Sequence, residues 1–288
     1  MTKRAVIITS SMLVGILIIF TILFGVVFRV RDINLIYNEE FYYSEQTSEI
    51  LTASKLKKNT STFSVNRNSV DSNIEKAFPY ARVSVNFSSM TSIKITLYNR
   101  TPLYYFVENE ICYILDEDCK VLEVVSIQDY NDKNYQYILL TNVFSASENV
   151  LAGQFLDNKY TGVCNDLYKA LYSNAMIDEE NSEGEWEPKY LEREDMCDII
   201  TDIRFGTEYA LHGKVDRLIM TTSYGVKLTI IEPQHNLDNK INHAFSALRE
   251  IVESDRLNGT SLSQSGSINV NYAYDSNNRT ITCDYRAD

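Results

Sequence analysis

The sequence predicts an α+β protein: an N-terminal transmembrane helix, a small βααββ domain, then a larger, mostly antiparallel β domain with C-terminal helices. Three observations predict this. No charged residue occurs from Ala5 to Phe28. Twenty Tyr and twelve Phe against ten Gly favour many half-buried strands, because aromatic and β-branched side chains suit a pleated surface. Two later stretches, Tyr160–Ala175 and Asn239–Ser254, repeat their apolar residues at spacings of three and four, the helical period.

The charge-free stretch AVIITSSMLVGILIIFTILFGVVF (5–28) would span roughly 36 Å as a helix, enough for a hydrocarbon core of about 30 Å. It is longer than a signal-peptide core, and Val26-Val27-Phe28-Arg29 offers no small-residue cleavage pattern. The expectation is a retained single-pass anchor in the cell membrane, with residues 1–4 as a short cytoplasmic tail and the rest extracytoplasmic. Lys3 and Arg4 before the span are nearly balanced by Arg29 and Arg31 after it, so flanking charge orients it weakly. Without Lys3 and Arg4 the remainder carries about −14, which disfavours nucleic acid and anionic lipid as partners.

With 44% hydrophobic and 11% aromatic residues, the chain is far from the disordered class. After Arg29 a short strand fits Val30–Ile36. A helix fits Tyr43–Leu51, with Ser44 as N-cap and Glu45 in the first turn. A second helix fits Ser69–Phe78, with Val70, Ile74 and Ala77 on one face and Pro79 as its stop. Arg82–Phe87 and Ile93–Tyr98 alternate with period two and read as paired strands.

These residues resemble the polypeptide-transport-associated (POTRA) domain of the bacterial division family FtsQ/DivIB. That family's F-x-V-x-x-I-x-V-x-x-N entry is matched by Phe28-Arg29-Val30-Arg31-Asp32-Ile33-Asn34-Leu35-Ile36-Tyr37-Asn38, and its Tyr-Ser helix start by Tyr43-Ser44. Its I-E-x-x-F-P turn is matched by Ile74-Glu75-Lys76-Ala77-Phe78-Pro79. Its E-R-x-P ending is matched by Asn99-Arg100-Thr101-Pro102, with Asn99 in place of Glu. The family's L-I-D-x-x-G-x-V-L hairpin corresponds to Ile114–Leu122, with Cys119 where the turn glycine stands. The resemblance places a POTRA domain at 29–100 and a β domain at 101–288.

In the second part, Leu103–Val107, Ile111–Leu115 and Val121–Val125 read as a meander, and Ile199–Phe205 as a strand. Arg217–Thr222 and Val226–Ile231 form a hairpin around Ser223-Tyr224-Gly225, where glycine supplies positive φ. Ser267–Tyr274 and Arg279–Tyr285 close the chain as two strands. The run 178–195 reads as an exposed acidic loop and has no counterpart in the family pattern. The similarity to the family's β domain continues in Leu218–Leu228, in Lys240-Ile241-Asn242-His243-Ala244 and in Gly266-Ser267-Ile268-Asn269-Val270.

Candidate chemistry is sparse. His212, His235 and His243 show no metal-ligand spacing, and no nucleophile-elbow, P-loop or dinucleotide motif occurs. Asp116-Glu117-Asp118 lacks the glycine and distal ligands of a calcium loop and reads as a solvated turn. Five Asn-x-Ser/Thr sites fit the abundance of these residues. Cys112, Cys119, Cys164, Cys197 and Cys283 are odd in number and without C-x-x-C, so both free thiols and a partial set of bridges stay open. The reading is of no catalytic, metal or cofactor residue.

The resemblance implies a non-enzymatic scaffold of the septation machinery. Its implied partners are small division proteins of the FtsL and DivIC/FtsB type and septal peptidoglycan synthases, with the plasma membrane reached through the N-terminal helix. It also implies strand pairing at a C-terminal edge, where Ile268, Val270, Tyr272, Tyr274, Ile281 and Tyr285 are the candidate contacts. The same alternation also fits residues that face a core. A membrane-anchored cell-wall enzyme, or a sensor or secretion factor reusing the POTRA unit, are the competing readings.

Overall fold

The computed structural model describes residues 3–22, 27–38, 40–142, 150–156, 161–210, 213–259, 266–275 and 278–286; the side chains of 3–10, 161, 208–210, 213, 272–275 and 278–280 are outside this description. The chain divides into two compact units, Met1–Arg100 and Thr101–Asp288.

The N-terminus corrects the sequence reading. Helix α1 runs Lys3–Ile22, so Lys3 and Arg4 open the helix instead of forming a tail. Among the described residues no helix is long and apolar enough to cross a membrane. The transmembrane helix over 5–28, the single-pass localisation and the orientation drawn from them are therefore withdrawn.

Unit 1 continues with β1 (Asp32–Tyr37), a 3-10 turn (Ser44–Gln46), α2 (Thr47–Ser54), α3 (Arg67–Ala77), β2 (Ala81–Ser89) and β3 (Ser92–Asn99). The sheet order is β1-β3-β2, with β1 parallel to β3 and β2 antiparallel to it. Ser44 is not a helix N-cap: it opens the 3-10 turn, and α2 starts after Gln46 without a side-chain cap. The effective cap is Asn66, whose side chain accepts from the Ser69 N–H at 3.3 Å and starts α3 at Arg67, two residues before the Ser69 start read from the sequence. Val70, Ile74 and Phe78 bury against Val83, Val85, Ile93, Ile95 and Leu97, while Ala77 stays exposed.

Unit 2 holds β4 (Tyr104–Glu108), β5 (Ile111–Leu115), β6 (Val121–Ser126), α4 (Ile127–Asp132), β7 (Ile138–Thr141), α5 (Thr161–Asn174), β8 (Met176–Glu180), β9 (Trp186–Tyr190), α6 (Arg193–Ile199), β10 (Ile200–Ala210), β11 (Gly213–Thr222), β12 (Lys227–Ile231), α7 (Leu237–Asn258), β13 (Ser267–Asp275) and β14 (Asn278–Arg286). Nine strands form one sheet in the order β14-β13-β12-β11-β10-β7-β4-β5-β6. The sheet is mixed, since β7 pairs in parallel with β4 and β10, and β12 in parallel with β13. The class is thus mixed α/β with a large sheet, and α7 precedes the last two strands, so strands and not helices end the described chain.

Alternation along β5 explains how both sheet faces are covered. Tyr113 and Leu115 join the large core that includes Leu167, Ala170 and Leu171 of α5 and Ile241, Phe245 and Leu248 of α7. Cys112 and Ile114 point the other way, into a smaller cluster with Tyr130 of α4.

The acidic stretch is an ordered hairpin and helix rather than a loop. β8 pairs with β9, and α6 opens with a capping box of Glu192 and Asp195. The Asp178 carboxylate takes the Arg249 guanidinium of α7 at 2.5 Å, Lys189 lies 3.2 and 3.3 Å from Glu179 and Asp195, and Arg256 stacks 4.4 Å over the Trp186 ring. Paired cations are what allow so acidic a segment to fold against α7.

Candidate functional site

The predicted contact residues converge on one edge of the large sheet. β14 pairs antiparallel with β13, setting Ile268 opposite Tyr285, Val270 opposite Cys283 and Tyr272 opposite Ile281. Ile268 and Val270 are 0% exposed and belong to the core packed on α7. Their side chains face inward, so they are not contact side chains. Ile281, Cys283 and Tyr285 are half-buried against that same core, whereas Thr282, Asp284 and Arg286 are exposed. The side chains of Tyr272 and Tyr274 lie outside the described residues. Among the described residues β14 pairs with β13 alone, so its far side presents a row of main-chain groups beside a half-covered apolar row.

Gly266 seats this edge. Its φ is +127°, and a Cβ there would lie 2.7 Å from the Arg286 carbonyl oxygen and 2.8 Å from the Tyr285 hydroxyl. Only glycine lets the start of β13 approach the end of β14 so closely.

Sequence reasoning missed what joins its own motifs in unit 1. Glu75 and Arg100, one in the I-E-x-x-F-P stretch and one in the N-R-T-P stretch, form a buried ion pair at 3.1 Å. Glu75 Oε1 also accepts from the Val83 N–H at 3.0 Å, and Arg100 Nε donates to the Ala81 carbonyl at 3.2 Å. The pair fastens α3, the start of β2 and the end of β3. Elsewhere in unit 1, Phe63 (63% exposed), Phe87 and Met90 (68% exposed) line an open groove of about 430 Å³, with Arg67 5.7 Å over the Phe87 ring.

Asp71 on α3 supplies a pH signature. Its Oδ1 is buried without a hydrogen-bond partner, and burial, reinforced by the charge of Glu75, pushes its carboxyl up to about 6. The folded state therefore holds the proton more tightly than the unfolded chain, and stability falls as pH rises from about 4 to 6. Asp71→Asn is expected to flatten that slope and raise stability at pH 7 by less than about 1 kcal/mol, since the side chain is only half-buried. Urea titrations at pH 4.5 and 7 read it; an unchanged slope in the variant would assign the titration to another group.

No group of three or more His, Cys, Asp or Glu able to hold a metal occurs among the described residues. His235 and His243 are exposed, and His212 lies outside the described residues. A hollow of about 480 Å³ between α4, β4 and β7 is lined by Tyr105, Tyr130, Asn131, Thr141, Asn142 and apolar residues, with no carboxylate, histidine or thiol in that lining. Burial pushes Tyr137, beside it in the aromatic cluster, up to about 12. It likewise pushes Cys112 up to about 12 and Cys197 and Cys283 up to about 11, which keeps these sulfurs as thiols at neutral pH.

No family model and no curated protein matches the chain.

Proposed function

We propose that this chain is a non-enzymatic scaffold of a bacterial division machinery, of the FtsQ/DivIB kind, and that it captures small partners of the FtsL and DivIC/FtsB type by pairing a partner strand to β14. The observation that carries the reading is the one-sided pairing of β14 beside the half-buried row Ile281, Cys283 and Tyr285. A partner strand set against that edge gains main-chain hydrogen bonds. Its inward side chains also extend the apolar cover over α7, which is how strand addition combines affinity with specificity. Two features of unit 1 and β13 support the family reading physically. Glu75 and Arg100 are mutually dependent, and Gly266 tolerates no side chain, so the quoted motif residues have structural reasons to stand where they do.

The test uses proline at two successive positions of β14. Neighbouring residues of a strand direct their N–H groups to opposite sides, so one of Thr282→Pro and Cys283→Pro strikes the β13 pairing and the other the open edge. The full chain is mixed with purified FtsL- and DivIC-type proteins from the same cells. The expected result is that one variant melts early, while the other keeps its circular dichroism and loses capture at least tenfold. Wild-type chain that captures neither protein, or capture untouched by the folded variant, would sink the proposal.

A further inference from the structure

Cys119 stands at a backbone position that suits glycine. In the β5–β6 connection its N–H donates to the Asp116 carbonyl at 3.1 Å, while Asp116 Oδ1 accepts from the N–H groups of Asp118 at 3.0 Å and Lys120 at 2.8 Å. Closing this turn puts Cys119 at φ +58°, the left-handed region that any Cβ makes unfavourable. The turn itself therefore gives no reason for a cysteine. Cys119 is fully buried in the large core, as is Cys164 of α5. The Cys164 thiol beside it, together with burial, pushes the Cys119 thiol up. Their neighbours are fastened as well. Asn165 Nδ2 donates to Asp118 Oδ1, and the Tyr104 hydroxyl donates to the Cys164 carbonyl at 3.5 Å. Cys112 lies in the separate cluster on the opposite sheet face, and Cys197 and Cys283 sit on α6 and β14.

We propose that Cys119 and Cys164, free thiols in this structure, are a disulfide site that closes by exchange with a small-molecule or protein disulfide. One cysteine thiolate attacks the donor's S–S bond and expels one donor thiolate; the second attacks the resulting mixed disulfide and expels the other. One S–S bond breaks and one forms. The donor accepts two electrons and, with the two protons the cysteines lose, leaves as two thiols. Because the folded core covers both sulfurs, exchange occurs as the chain folds or opens, and the finished bridge is then shielded. It closes a loop of about 45 residues that contains β6, α4 and β7, tying the hairpin turn to α5.

The full chain is refolded with oxidised glutathione, its remaining thiols are alkylated, and its peptides are mapped by mass spectrometry. The expected product links Cys119 to Cys164 and leaves Cys112, Cys197 and Cys283 alkylated. Oxidised chain should melt roughly 5–10 °C above reduced chain. Cys164→Ser is expected to abolish that oxidant-dependent shift. Reduced Cys119→Gly, which relieves the turn but empties a buried site, should likewise show no shift. Cys119 and Cys164 both alkylated after oxidation, bridges scattered evenly over the five cysteines, or a shift that survives in Cys164→Ser would each overturn the proposal.

Discussion

Glu75→Ala is expected to destabilise unit 1 by about 3–5 kcal/mol, because it strands the Arg100 guanidinium in a site from which water is excluded. Both side chains of the pair are almost wholly covered, and the Val83 N–H loses its acceptor at the same time. The loss falls on three elements at once. Glu75 belongs to α3, Val83 to β2, and Arg100 follows β3 with its own N–H bonded to the Tyr80 carbonyl at 2.7 Å. A double variant, Glu75→Leu with Arg100→Met, removes both charges and keeps the volume, and is expected to recover most of the loss. Hydrogen exchange on peptides from β2 and β3 reads unit 1 separately from the rest. Equal damage in the single and double variants would show that packing, and not the uncompensated charge, carries the effect.

That pair also marks where legibility in the sequence stops. Period-two alternation in 82–87 and 93–98 was enough to place β2 and β3, because one face of each strand is buried and the pattern repeats that fact residue by residue. A bond between residues 25 positions apart leaves no periodic trace. Glu75 and Arg100 were visible as motif letters, but not as partners. Short elements were missed for a related reason. α4 and β7, of six and four residues, are too brief to complete a pattern, and tertiary contacts hold them. The acidic hairpin read as a loop because its stabilising cations, Arg249 and Arg256, come from α7, far along the chain.

At the candidate edge, alternation correctly grouped Ile268, Val270, Ile281 and Tyr285 on one face, but could not say whether that face meets a core or a partner. The structure covers it with α7, which moves the candidate contact from side chains to the β14 main chain. The N-terminal stretch failed differently. An uncharged run of residues gives the length of an apolar segment and not the bounds of a helix, and α1 as described covers Lys3–Ile22.

Lys240→Met is expected to destabilise unit 2 by about 2–3 kcal/mol, the range for losing hydrogen bonds from a charged donor in a buried site. A lysine is a poor choice there on local grounds. It lies in the first turns of α7, where the helix dipole disfavours positive charge, and it is 0% exposed. Its reason is the end of β12. Lys240 Nζ donates to the carbonyls of Ile231 at 2.6 Å and Glu232 at 3.0 Å, just where Glu232 turns the chain through φ +50°. Methionine keeps the apolar stem but leaves those carbonyls without that donor. Because β12 pairs with β13, which carries β14, loosening should spread to the proposed docking edge. Faster hydrogen exchange over 227–231 and 267–270, together with weaker partner capture, is the expected pattern. A variant within about 0.5 kcal/mol of wild type in urea would mean that the two carbonyls find other donors, and that α7 rather than Lys240 holds the strand end in place.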